Sequence, residues 1–158
     1  VCDLDTHAWR LLALTQLLPD TPARGACLLR LSASARPLEA AAPAEARRLW
    51  SEALAAAGLG SVPSAPPDAP ERLAALAADW PPAHADNATA WQLAHRINRE
   101  GNGQLLRGNA PLDWRRDLAQ RVVNTLRSDP AGGGYWDAAG TDGRLAETAL
   151  GLLTLLEL

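Results

Sequence analysis

"LDWRRDLAQRVVNTLRSDPAGGGYWDAAGTDGRLAETALGLLTLLEL", residues 112–158, joins two apolar-periodic blocks through a run of Ser, Asp, Pro and Gly. On both sides of that run hydrophobic residues recur every three or four positions, the period of a helix that buries one face. The run itself is built of helix breakers. It predicts a helix over 112–127, a glycine-rich link, and a second helix over 144–156.

The same spacing along the rest of the chain brings the expected total to seven helical segments. The first covers 6–18, with Asp5 as its cap, and stops before "PDTP". "RGACLLRLSAS", 24–34, reads equally as a short helix or an extended strand. "PAEARRLWSEALAAAG", 43–58, carries Leu49, Trp50 and Leu54 on one side and ends at Gly58, the residue type that best closes a helix in the left-handed conformation. After the proline-rich connector at 59–70, Asp68 and Glu71 form a capping-box pattern for a fourth helix ending near Trp80. A fifth starts at Asp86 or Asn87 and runs to Glu100.

Ala and Leu dominate, β-branched residues are scarce, and Phe and Met are absent, a composition that favours helices over sheet. The fold class expected is all-α, in one domain over 1–158. Such a chain removes roughly 70% of its unfolded surface from water, so a sizeable core can form. Its large aromatic volume rests on six Trp. Trp9, Trp91 and Trp114 lie in the most periodic patterns and are expected in that core.

All 15 basic residues are Arg. Without lysine there is no phosphate-loop lysine, no Schiff base and no pyridoxal phosphate attachment, since each needs a primary amine. A net charge of −3 with dispersed Arg excludes the concentrated basic face that nucleic acid requires. The longest apolar stretch, 145–158, contains Glu147 and Glu157 and falls short of the ~20 residues of a membrane span. The absence of methionine means that Val1 is not an initiator, and a processed secretory start is one account of it. Cys2 and Cys27 are then expected to form a disulfide in an extracytoplasmic compartment, secreted or periplasmic; the alternative is two free, buried thiols.

His7, His84 and His95 have no shared ligand spacing, so neither metal nor cofactor is expected. His95, four residues after Trp91, reads as a packed histidine and His84 as a solvated loop residue. No serine lies in a Gly-x-Ser-x-Gly element. Gly101, Gly103 and Gly108 follow a helix, not a strand, and read as a flexible turn instead of a dinucleotide loop.

"DTHAW-R-L" from Asp5 and "NATAW-Q-L" from Asn87 match in cap, small residue, Trp and Leu, and "ETALGLLTLLEL" repeats the small-residue start. Between these apolar helices lie more charged ones, each with an Arg pair and a Trp. The stretch 87–158, about half the chain, resembles the repeat of the prenyltransferase and squalene-cyclase superfamily. Its most specific piece is Gly134-Tyr135-Trp136-Asp137 before "ETALGLLTLL", similar to the Gly-x-Trp element that precedes an inner helix there. The resemblance implies helical hairpins in a partial or reduced α/α toroid; the alternative is an irregular helical bundle. Leu126-Arg127 stands where the family's outer helix ends in Gln, and seven helices are fewer than a closed double ring uses.

That resemblance also gives "DLDTHAW" a meaning, as a shortened form of the Asp-x-Asp-Asp element with which class II terpene cyclases protonate an alkene. Asp3 and Asp5 would be the acid pair and an isoprenoid the ligand. A helix start favours ionised carboxylates, however, whereas a general acid must hold its proton. Asp5 is therefore expected to cap and not to catalyse. Tyr135 and Trp136 remain as aromatics on a glycine-rich loop, where they either anchor a partner or, in the case of Trp136, close the last helix pair. The function expected is a non-catalytic binding or scaffolding domain, with a protein partner or a larger assembly. The rival is an isoprenoid cyclase or transferase using Asp3 and Asp5.

Overall fold

Asp3 sets the start of the first helix in the computed structural model, which describes residues 3–83, 86–128, 130–137 and 140–158, the side chains of 140–142 excepted. Cys2 and His84 lie outside the described residues. Helix α1 (Leu4–Leu17) begins with the Asp3 carboxylate accepting from the Thr6 backbone N–H at 2.8 Å and from its hydroxyl at 2.7 Å. The cap is thus Asp3, and the expectation for Asp5 is corrected. The cause is Leu4, which is buried together with Ala8 and Leu11 and therefore has to belong to the helix.

The ambiguous segment after it is helical. Helix α2 (Pro22–Glu39) is capped by Thr21, opened by Pro22 in its first turn, and buries Leu28 and Ala35 seven residues apart. Arg24 turns back to donate to the carbonyls of Thr15 and Leu18 at 3.0 and 2.9 Å, satisfying acceptors that the end of α1 leaves open. Helix α3 (Ala44–Ala56) buries Ala46, Leu49, Trp50 and Ala53, and Gly58 follows it at φ +71°. The Trp50 indole donates to Glu39 at 2.8 Å. α1 packs on both α2 and α3, and the three make a first compact unit over 1–64.

The second unit spans 65–158, so the division falls inside the proline-rich connector. Helix α4 (Ala69–Ala78) starts without a side-chain bond from Asp68, and the predicted capping box is not formed. Helix α5 (Asn87–Glu100) is capped by Asp86, which accepts from the Thr89 N–H at 2.8 Å. Helices α6 (Trp114–Asn124) and α7 (Gly140–Glu157) complete the unit, with α5 packed along α7.

Two antiparallel hairpins lie between these helices: β1 (Leu106–Arg107) with β2 (Ala110–Pro111), and β3 (Leu126–Ser128) with β4 (Gly134–Trp136). The second one shortens the sixth helix relative to the sequence reading. Residues 126–128 pair with the Gly-Tyr-Trp element, with Leu126 opposite Trp136, instead of extending α6. Seven helices and these hairpins make the described residues mostly helical, an all-α or helical-bundle architecture.

The core of the second unit gathers Ala90, Ala94, Ile97, Leu105, Trp114, Leu118, Val122 and Trp136. Trp91 and Trp114 are buried as expected, whereas Trp9 is only half-buried. The matching stretches at Asp5 and Asn87 are used differently: Asp5 is exposed, while Asn87 is buried and donates to the Glu147 carbonyl at 3.1 Å.

Candidate functional site

The two acids at the start of α1 face solvent, and their carboxyls are driven in opposite directions. Hydrogen bonds from the Thr6 hydroxyl and N–H hold Asp3 below the ordinary carboxylate range. Partial burial, then the charges of Asp3 and Glu45, push Asp5 above it. His7 Nδ1 lies 2.9 Å from the Asp3 carbonyl, so its ring is committed to the same turn. Among the described residues no group of three His, Cys, Asp or Glu side chains could hold a metal ion.

Opposite stability effects follow for these neighbours. Asp3→Ala removes the cap and lowers the stability of the first unit by about 1 kcal/mol at neutral pH. Asp5→Asn relieves like-charge repulsion and raises it. Because the folded-state value of Asp3 lies below its ordinary 3.8, its contribution is present above that pH and lost as the pH falls through the folded value. Chemical denaturation at pH 7 and near pH 3 reads both effects. Equal midpoints for the two variants at pH 7 contradict the assignment.

Cys27 is an exposed free thiol, and Cys2, its expected disulfide partner, lies outside the described residues. Cys27 sits on α2 beside Arg30, in an open groove of about 630 Å³ also lined by Arg10, Leu14 and Leu31. A second groove, of about 420 Å³, runs between the first hairpin and the start of α6, past Leu105, Leu112 and Trp114. No described helix is long and apolar enough to cross a membrane.

The aromatic pair on the second hairpin is divided. Trp136 is buried, its indole donating to the Val122 carbonyl at 2.8 Å and its backbone N–H to the Thr148 hydroxyl at 3.2 Å. The expectation that Trp136 anchors a partner is corrected: it is a packing residue under α7. Tyr135 alternates to the other side of the strand, half-buried, with the Arg144 guanidinium 4.7 Å above its ring.

Comparison with protein-family models, curated proteins and solved structures finds no match to this chain.

α7 carries the most distinctive surface. Its inward side is fixed by Leu153 and by Thr154, whose hydroxyl donates to the Asn87 carbonyl at 3.1 Å and the Leu150 carbonyl at 2.8 Å. At its end, Glu157 Oε1 lies 3.1 Å from His95 Nδ1, and the Glu157 carbonyl accepts from the Asn98 amide at 2.7 Å. Burial opposes ionisation of Glu157, but His95, Asn98 and Arg99 together hold its carboxyl below the ordinary range. The outward side carries Leu145, Leu152, Leu155 and Leu156 at 66, 42, 38 and 62% exposure. Every exposed residue from 145 to 156 is apolar. In the sequence "ETALGLLTLLEL" reads as a buried inner helix, and the exposed side is a difference that the structure brings. The signal was present in the number of leucines, which exceeds what one packed stripe can cover.

Proposed function

We propose that this chain is a non-catalytic binding or scaffolding domain of toroid-repeat type, extracytoplasmic, whose second unit joins a protein assembly through the outward face of α7. The observation that carries this reading is the uncharged run of exposed leucines on a helix whose other side is firmly packed. Contiguous apolar surface on a water-exposed helix marks an interaction site. Tyr135 stands under Arg144 at the N-terminal end of the face and adds an aromatic contact with a polar edge. The cap role of Asp3 and the solvent-facing position of Asp5 favour binding over acid catalysis.

Position-resolved cross-linking tests the proposal. A photoreactive residue is introduced singly at Leu145, Leu152 or Leu156, and at Arg47 on the exposed side of α3 as control. The expected result is one adduct of discrete mass from the three α7 positions and none from Arg47. No adduct, or equal adducts from all four, overturns the reading. Product from squalene or prenyl diphosphates that disappears in the D3N/D5N double variant restores the cyclase alternative.

A further inference from the structure

We infer that the partner of the α7 face is a second copy of the same chain, joined by antiparallel pairing of the two α7 helices about a two-fold axis. The inference rests on the reading of that face as a docking surface and adds the identity of its occupant. The outward stripe is Leu145, Ala149, Leu152 and Leu156, spaced four, three and four residues apart. That is the spacing of a two-heptad helix seam. It reads the same from either end, so an antiparallel copy laid on the stripe meets the same stripe. An isologous contact requires such self-complementarity.

With the axis between Leu150 and Gly151, Leu145 meets Leu156 of the second copy, and Ala149 meets Leu152 of the second copy. The small side chain of Ala149, half-buried beside exposed Leu152, leaves the hole into which the facing leucine fits. Leu155 and Thr148 then oppose each other on the flank of the seam. No exposed charge lies between Leu145 and Leu156, so the pairing buries no unpaired ion. Pairing three helical turns in this way removes on the order of 1,000 Å² from water in total, the lower end of specific interfaces. A reversible dimer is expected, its strength set by how well the leucines pack more than by the area covered.

Sedimentation equilibrium of the full chain, from about 1 to about 200 µM, tests this over the concentration range in which weak dimers form. The native chain is expected to pass from monomer to dimer over that range. Leu152→Glu alone and Ala149→Arg alone are each expected to remain monomeric, with helical circular dichroism unchanged. An equimolar mixture of the two is expected to dimerise again, because the new acid of one copy faces the new base of the other. Should either variant lose its helical signal, Leu145→Glu and Leu156→Arg repeat the experiment one seam position away. A native chain that stays monomeric, a dimer that survives both single changes, or a mixture that stays monomeric overturns the inference. In the first case, an α7 cross-link to a protein of another mass leaves the docking reading standing, and the absence of any α7 adduct removes both.

Discussion

Trp91→Ala is expected to lower the stability of the second unit by about 3–5 kcal/mol, a large share of the 5–15 kcal/mol that holds an ordinary domain together. The indole is 1% exposed on α5, the helix that packs along α7. Its ring stacks on His95 at a centroid distance of 4.5 Å and an interplanar angle of 11°. Truncation therefore leaves a cavity between two helices and frees the imidazole that faces Glu157. Denaturant titration followed by circular dichroism should give a much lower midpoint with an unchanged slope, the signature of lost stability without a change in the surface exposed. A midpoint within experimental error of the native chain's contradicts the packing described.

Gly151→Ala reverses the usual sign of its class. In a helix interior that change ordinarily stabilises by nearly 1 kcal/mol. Here a Cβ on residue 151 would lie 2.7–2.8 Å from three atoms of the Trp136 ring. The ring has no easy retreat, because it is buried and its N–H is bonded to the Val122 carbonyl. Overpacking of this kind costs about 1–3 kcal/mol. The double change with Trp136→Leu discriminates the cause: the smaller side chain makes room for the Cβ, so the pair should cost at least about 1 kcal/mol less than the sum of the single changes. Simple additivity rejects the contact as the reason.

Helix existence was legible in the sequence because 3.6-residue apolar spacing records which side chains leave water. Helix limits were less legible. Asp3 and Asp5 are both good caps, and only the burial of Leu4 decides between them. The ambiguity of 24–34 has a similar origin, since α2 buries so few residues that its periodicity is faint, and Arg24 at the end of α1 helps to fix it instead. The hairpins were invisible for a different reason. Leu126 and Trp136 look like the end of one helix and a loop aromatic until they pair across a sheet, a contact ten residues long that no local spacing encodes. The same pairing sends Trp136 inward and leaves Tyr135 at the surface, so only half of the expected aromatic site survives. The α7 face was hidden by its own composition: a helix rich in leucine on every side does not announce which side stays wet.

Arg115 sits at the far end of α7, its guanidinium donating to the carbonyls of Leu158 and Gly103 and to the Asn98 side chain at 2.9, 3.1 and 3.0 Å. With Thr154 tied to Asn87 and Gly151 lying against Trp136, the helix is fastened along its second half before anything docks on it. Ordering a binding segment commonly consumes part of the free energy of association, and here that part is already spent during folding. Encounter then needs only correct orientation, and substitutions on the outer leucines should show up in how quickly complexes come apart more than in how quickly they assemble.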